Sequence, residues 1–250
     1  MKKPIVSIIT PAFRCSYTIK DTFASVIAQS FKDWEWLIIE DCSCDGTFEI
    51  IQALAKCDER IRVFKTNQNS GAAVARNIGI CISSGKYIAF LDADDLWKPN
   101  KLAKQIEFME NNRYDFTFTD YDLLFKNGKI KEHKIKKQCV TFKDLLKRNY
   151  VGCLTAMYNA EKIGKFYMPL DCKKREDHGA WLDITKKGIN AYRLSEFLSL
   201  YRIGSNSVSS NKIKMIKFQY LLYKKHLHFN IFKSLWFTFV CTLKKIFNRY

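Results

Sequence analysis

Three carboxylates that follow a short apolar run are the residues best suited to chemistry. Ile88–Leu91 is continuously apolar, and Asp92, Asp94 and Asp95 come directly after it. Carboxylates this close repel one another and favour a counter-charge. A hard cation such as Mg²⁺ or Mn²⁺ takes oxygen ligands and usually shares them with substrate phosphates. The pattern predicts a divalent-metal site. A polar turn in which Asp94 or Asp95 caps the next helix is the alternative.

Two more residues in the first half could take part in binding. Asp41 follows the apolar run Leu37–Ile39, and Arg76 lies among Ala, Val and Ile on a predicted helix. A cation in apolar surroundings needs a partner, so Arg76 either binds a ligand or forms a structural ion pair with Asp92 or Asp45. For Asp41 the alternative is an Asx turn or a helix cap.

Strands and helices alternate along the first hundred residues. Ile5–Ile9 and Leu37–Ile39 are β-branched runs, and helical spacing between them follows a Ser16 N-cap. Two more helices, Thr47–Lys56 and Gly71–Ile82, enclose a third strand. This alternation predicts an α/β fold with a parallel, doubly wound sheet, in which ligands bind beyond the carboxyl ends of the strands.

The second half shows a hairpin and an acidic helix start. An Asn-Gly pair at 127–128 predicts a turn between Tyr121–Phe125 and Lys129–Ile135, whose second arm is Lys-rich and reads as a solvated edge. Glu176 and Asp177 precede an apolar helix. Carboxylates favour the first turn of a helix, so an ordinary helix start is the alternative to a catalytic role.

Composition limits the classes of protein that fit. The chain has 250 residues, 47% of them hydrophobic, which is enough for a full globular core. No signal-like apolar segment follows Met1–Pro4, so we expect a cytoplasmic protein, and the nine scattered cysteines should be reduced. Neither a G-x-G-x-x-G fingerprint nor a P-loop is present, which removes the two commonest nucleotide-binding motifs.

Positive charge is concentrated in the C-terminal tail. Ten of the 42 Lys and Arg residues, and none of the 25 acidic ones, lie in residues 197–250, so this segment carries more than half of the net charge of +17. On a helix from Ile231 to Arg249, aromatic and lysine residues fall on opposite faces, as in a helix lying in a membrane surface. Packing against the protein's own core is the alternative. Nucleic-acid binding would need aromatics interleaved with the basic residues, so no nucleic-acid partner is expected.

Four ordered motifs resemble those of family 2 glycosyltransferases of GT-A fold. They are Val6–Phe13, Glu40–Thr47, Gly71–Gly79 and Leu91–Asp95. The resemblance covers roughly residues 4 to 210 and implies a Rossmann-like, mixed, mostly parallel central sheet flanked by helices. We therefore predict a domain at 1–209, with a nucleotide-sugar half at 1–100 and an acceptor half at 101–209, followed by an amphipathic helical tail at 210–250.

The resemblance also implies an activity. It indicates a metal-dependent, inverting transfer of a sugar from a nucleotide donor, expected to be a UDP-sugar, to a saccharide acceptor. The tail favours a lipid-linked acceptor at the inner face of the cell membrane, as in synthesis of O-antigen, capsule or lipooligosaccharide. A catalytically silent scaffold recruited to membranes is the alternative.

Individual roles are carried over by position in the motifs. Asp177 would be the general base, Asp94 would bind Mn²⁺ or Mg²⁺, Asp92 would contact the ribose or a metal-bound water, and Asp41 would bind the uracil ring. Asp95 is expected to cap a helix. Glu176 and Trp181 would contact the acceptor. The other predicted nucleotide-sugar contacts are Pro11, Ala12, Phe13, Arg76 and Ala93.

The sequence departs from the family pattern at three positions. Arg14 stands where the family usually has Asn, Glu40 where it has Asp, and Cys42 where Gly is common. These departures leave the fold prediction intact and weaken any inference about the donor sugar.

Overall fold

One sheet runs through the protein. The computed structural model describes residues 3–204 and 212–247. Its strands are Val6–Ala12 (β1), Trp34–Glu40 (β2), Ile61–Lys65 (β3), Tyr87–Phe90 (β4), Leu96–Trp97 (β5), Phe116–Leu124 (β6), Ile130–His133 (β7), Cys139–Val140 (β8), Met157–Asn159 (β9) and Ala191–Arg202 (β10).

Helices cover the sheet, and two of them form the tail. The α-helices are Ile19–Ile27 (α1), Thr47–Ala55 (α2), Ala72–Ile82 (α3), Lys101–Asn112 (α4), Phe142–Leu145 (α5), Ala160–Ile163 (α6), Glu176–Lys186 (α7), Lys212–Leu221 (α8) and Ile231–Phe247 (α9). A 3₁₀ turn lies at Cys153–Thr155, and a π-helical turn, Leu222–His226, continues α8.

The sheet combines parallel strands from the first half of the chain with antiparallel pairs made by β9. Along its main path the order is β3-β2-β1-β4-β9-β6-β10-β5. The pairs β3-β2, β2-β1 and β1-β4 are parallel, whereas β9 pairs antiparallel with β4 and β6. A parallel strand that is buried on both faces consists of consecutive apolar residues, which is why these strands were visible in the sequence. The prediction of a mixed, mostly parallel sheet is therefore confirmed.

Helix α3 lies unusually close to β1. A Cβ atom added to Gly79 would lie only 2.6 Å from Cγ2 of Ile9, so glycine is what allows this approach. Arg76 precedes Gly79 by three positions and therefore shares its side of the helix. Close packing brings the Arg76 guanidinium toward the carboxyl end of the sheet.

Two predicted helix caps are wrong. The N-cap of α1 is Thr18, and the Ser16 hydroxyl instead donates to Asp45 Oδ2 at 3.0 Å. Helix α4 starts after Asn100, so Asp95 does not cap it. The Asp95 side chain is buried and accepts the backbone N–H of Arg202 at 2.9 Å. Asp95 fixes the end of β10 instead of a helix start.

Helix α9 packs on the rest of the tail through its polar side. In α9 the buried residues are Ser234, Thr238 and Cys241, and Phe237 packs within 5.8 Å of the Tyr223 ring. Apolar residues on the other side are exposed; these are Ile231, Phe232, Leu235, Trp236 and Phe239. The predicted boundary at 209–210 lies outside the described residues. Within those residues, no helix is both long and apolar enough to cross a membrane.

Candidate active site

A single cleft gathers the residues assigned to the donor and the metal. It has a volume of about 1050 Å³ and lies where β1, β2 and β4 end. Eight predicted residues line it: Pro11, Ala12, Phe13, Asp41, Arg76, Asp92, Ala93 and Asp94. They come from four separate motifs, which the carboxyl ends of neighbouring parallel strands and the helix α3 bring together.

Asp41 is fixed by the loop that leads into α3. Its Oδ1 accepts from the hydroxyl of Thr66 and the N–H of Ser70, both at 2.9 Å, and its Oδ2 accepts from the N–H of Gly71 at 2.7 Å. A carboxylate has about four acceptor positions, so one stays available to a ligand. The alternative role, capping the segment at Asp45, is wrong.

Arg76 and Asp92 form a nearly buried ion pair. Arg76 Nη2 lies 2.5 Å from Asp92 Oδ1, and the Arg76 side chain is only 9% exposed. Burial opposes the charged guanidinium, but the Asp92 carboxylate outweighs it and raises the pKa of Arg76. The alternative of an ion pair with Asp92 is therefore observed, and the same guanidinium also lines the cleft.

The acidic loop points its carboxylates in different directions. Asp92 and Asp94 line the cleft, whereas Asp95 turns into the protein. Desolvation, and then the charge of Asp92, raise the pKa of Asp94 to about 6. The charges of Arg202 and Arg76 lower the pKa of this carboxyl, but by less than burial and Asp92 raise it. One or two carboxylates completed by substrate phosphates are a donor set that suits Mg²⁺ or Mn²⁺.

Arg202 also lines the cleft and holds this loop in place. Its Nε donates to the backbone oxygen of Asp94 at 2.9 Å, and its Nη2 contacts Asp21 Oδ2 at 2.9 Å. Its backbone N–H also donates to Asp95. Arg202, at the end of β10, therefore fixes both the acidic loop and α1. The chain that continues from β10 is described as far as Gly204.

Glu176 and Asp177 begin α7 near Arg76. Asn149 Nδ2 donates to Asp177 Oδ2 at 3.1 Å. Burial raises the pKa of Asp177, while its neighbours Arg76 and Arg175 act in the opposite direction. Neither carboxylate lines the donor cleft itself. Arg76 therefore interacts electrostatically with carboxylates of both halves, Asp92 and Asp177.

The assignment of Trp181 to the acceptor is wrong. Its side chain is fully buried, its ring centroid lies 5.7 Å from that of Phe90, and its Nε1 donates to the oxygen of Val151 at 3.2 Å. His178 is also structural, since its buried Nε2 lies 2.8 Å from the oxygen of Leu145. The first turn of α7 reaches the site, and the next turn enters the core.

The hairpin of β6 and β7 contributes an unpredicted wall of the cleft. Leu124, Phe125, Lys126 and Gly128 line the cleft together with Tyr201 of β10. The Asn-Gly pair correctly predicted the turn, and β7 is largely exposed. The prediction that the second arm is a solvated edge is confirmed by the exposure of β7. The residues that line the cleft come before that arm, and the sequence did not reveal them because it does not show which strand lies beside β6.

Two of the three family departures occupy strained backbone positions. Arg14 has φ of 48° and Cys42 has φ of 58°. Asn and Gly tolerate this left-handed conformation, whereas other residues pay about 1–2 kcal/mol for it. Arg14 itself lines the cleft, and Cys42 follows Asp41, which also lines it. The usual family residues are thus explained by backbone geometry, and this chain tolerates the strain.

Known proteins resemble this chain along most of its length. The family described as "Glycosyl transferase family 2" matches residues 7–166. The putative teichuronic acid biosynthesis glycosyltransferase TuaG of Bacillus subtilis is 43% identical over 235 residues, which are 94% of this chain and 93% of that protein. The UDP-Glc:alpha-D-GlcNAc-diphosphoundecaprenol beta-1,3-glucosyltransferase WfgD of Escherichia coli is 36% identical over 86% of this chain and 84% of its own length.

The fold is also shared with a solved structure. S. aureus TarS 1–349 in complex with UDP-GlcNAc superposes with a TM-score of 0.72 at 17% identity, over 97% of this chain and 73% of that one. This likeness shows the GT-A fold that the motifs predicted. The family match and the identity to TuaG establish that the chain belongs to glycosyl transferase family 2 and is a glycosyltransferase.

Proposed function

We propose that the protein transfers a sugar from a UDP-sugar to a lipid-linked saccharide with inversion at the anomeric carbon. The observation that carries this proposal is the gathering of Asp41, Arg76, Asp92 and Asp94 in one cleft, with Asp177 near enough for its charge to interact with that of Arg76. The names of TuaG and WfgD, which refer to teichuronic acid synthesis and to a diphosphoundecaprenol acceptor, support this class of product.

The donor would lie along the carboxyl ends of β1, β2 and β4. The free acceptor position of Asp41 suits the imide N–H of uracil, and Pro11, Ala12 and Phe13 form the wall next to it. Asp92 is oriented by Arg76 toward the ribose or a metal-bound water. A divalent cation held by Asp94 would supply positive charge that stabilises the leaving diphosphate.

The chemistry is a single displacement. The acceptor hydroxyl oxygen forms a bond to the anomeric carbon, the bond from that carbon to the phosphate oxygen breaks, and UDP leaves. Asp177 takes the hydroxyl proton. Asn149 orients Asp177, and burial makes the carboxylate a stronger base than an exposed one. Glu176 would hold another acceptor hydroxyl.

Donor binding can be tested by thermal unfolding. With Mn²⁺ and UDP at about 100 times the dissociation constant, the melting temperature should rise by about 5–10 °C. GDP with Mn²⁺, and UDP without metal, are the controls and should stabilise less. Stabilisation by no nucleoside diphosphate would contradict the donor assignment, and slow hydrolysis of individual UDP-sugars would identify the sugar.

The exposed face of α9 would place the enzyme on the inner, cytoplasmic membrane surface. Phe232 is 84% exposed and Trp236 is 60% exposed. Aromatic side chains opposite lysines suit the boundary of an anionic bilayer. The packing alternative is observed for the polar side of α9, and the exposure of its aromatic side supports the proposal of a membrane contact.

Sedimentation with vesicles containing anionic lipid tests this surface. The double change Phe232→Ser and Trp236→Ser should weaken binding at least about tenfold, since burial of each side chain contributes roughly 1.5–3 kcal/mol. Ile130→Ser is the control, because Ile130 is 54% exposed on β7, outside the tail. Equal binding by wild type and the double variant would exclude this face.

Point changes are preferable to truncation, which would also remove the buried Leu222 and Tyr223.

A further inference from the structure

A second cluster of metal-ligand side chains joins the tail to the catalytic domain. His226, at the end of the π-helical turn, places Nδ1 3.5 Å from Asp171 Oδ1. The Sγ of Cys172 lies 3.4 Å from the same oxygen. One ligand atom from each of the three residues falls within 4.8 Å of the others. Imidazole, thiol and carboxylate thus converge from two segments far apart in sequence.

Two of the three separations match a tetrahedral metal site, and the third, from Cys172 Sγ to the imidazole of His226, is within 4.8 Å. Zinc–ligand bonds of about 2.0 Å to nitrogen or oxygen and 2.3 Å to sulfur place neighbouring ligand atoms about 3.3–3.7 Å apart. Both measured separations fall in this range. The mixed nitrogen, sulfur and oxygen donor set suits zinc and is unsuited to Mg²⁺, which prefers oxygen ligands. This cluster therefore differs in chemistry from the site at Asp94.

An outer carboxylate fixes the histidine in the required orientation. Nε2 of His226 lies 3.0 Å from Asp183 Oδ1 on α7. Zinc-binding histidines usually donate their second ring nitrogen to such a carboxylate, which leaves the other nitrogen as the ligand. The loop that carries Asp171 and Cys172 is held tightly against the same helix, because a Cβ on Gly179 would lie 2.4 Å from Pro169.

We propose that Asp171, Cys172 and His226 bind a structural zinc ion, with water as the fourth ligand on the exposed side of Asp171. On binding, the Cys172 S–H bond breaks, a sulfur–zinc bond forms and the proton leaves to solvent. The ion would connect the tail to the loop that ends four residues later at Glu176. Zinc would therefore hold the membrane-facing helix and the acceptor carboxylates in one rigid arrangement.

Cobalt(II) binding to the full-length protein tests the site directly. In an Asp94→Asn background, which removes the proposed substrate-metal ligand, one equivalent of cobalt should bind and produce a thiolate-to-cobalt charge-transfer band. Cys172→Ser should abolish that band and weaken zinc binding at least about tenfold. Cys57→Ser is the matched control, because Cys57 is an exposed thiol on the surface, and it should leave the band unchanged.

A stability readout covers the case in which Cys172→Ser folds poorly. Zinc should raise the melting temperature of the Asp94→Asn protein, and His226→Gln should remove this response. Absence of one-to-one cobalt binding to the Asp94→Asn protein, or a band that survives Cys172→Ser, would overturn the proposal. In that case His226 only pairs with Asp171 and Asp183 as an ionic contact.

Discussion

Replacing Asp177 by Asn should lower kcat by about 10²–10⁴-fold, the contribution expected of a general base. The amide keeps the size of the side chain and can still accept from Asn149, so the fold and donor binding should persist. Single-turnover transfer measured beside Mn²⁺-dependent stabilisation by UDP separates the two effects. Loss of both would mean that Asp177 supports the donor site and is not the base.

Glu176→Gln is the matched control for this prediction. It makes the same chemical change at the neighbouring position and should mainly raise KM for the acceptor. If Glu176→Gln lost the larger part of kcat, the roles of the two residues would have to be exchanged.

The pH dependence offers an independent readout of the base. Burial raises the pKa of Asp177, so kcat/KM should fall as the pH drops through a value above the ordinary aspartate pKa of about 3.9. Below this pKa, Asp177 is protonated and cannot accept the proton of the acceptor hydroxyl, whereas above it the carboxylate is ionised and can. Residual activity of Asp177→Asn should lack this acid limb.

Replacing Asp94 by Asn should have the second largest effect. Removing the charge that we propose to hold a metal at the leaving group should lower kcat about 10²–10³-fold, the range seen for loss of one group that stabilises the transition state. The Mn²⁺ concentration needed for half-maximal activity should rise, and stabilisation by UDP should no longer depend on metal. Kinetics at a series of Mn²⁺ concentrations measure this directly.

Asp95→Asn distinguishes metal binding from loop structure. Burial, and then the charges of Asp94 and Asp92, hold the pKa of Asp95 well above its usual range. An amide resembles a protonated carboxyl and can still accept from Arg202, so the Mn²⁺ dependence should stay unchanged. A changed Mn²⁺ dependence in this variant would show that Asp95 also serves the ion.

The sequence predicted the first half of the fold better than the second. Alternating apolar runs and helical spacing specify a parallel sheet locally, and the carboxyl ends of those strands then place Asp41 and Asp92 at one edge. The placement of β9 and β10 depends on contacts distant in sequence. No local pattern therefore showed that the hairpin at Gly128 would reach the cleft.

The errors in the site have a common physical origin. Trp181 follows Asp177 by one helical turn and was assigned to the same surface, but α7 enters the core after its first turn. For α9 the periodicity identified two faces correctly. It could not show which face packs inward, since Phe237 and Cys241 on the polar side supply the inner contacts.

Arg76 has a consequence for the timing of the reaction. One cation compensates Asp92 on the proposed donor side and also lowers the pKa of Asp177 on the proposed acceptor side. In the proposed donor complex, the negative charge of the diphosphate offsets the positive potential that the Arg76 guanidinium produces at Asp177. The base then binds a proton more strongly. Proton removal from the acceptor is thereby favoured after the donor has arrived, which links the two half-sites through a single side chain.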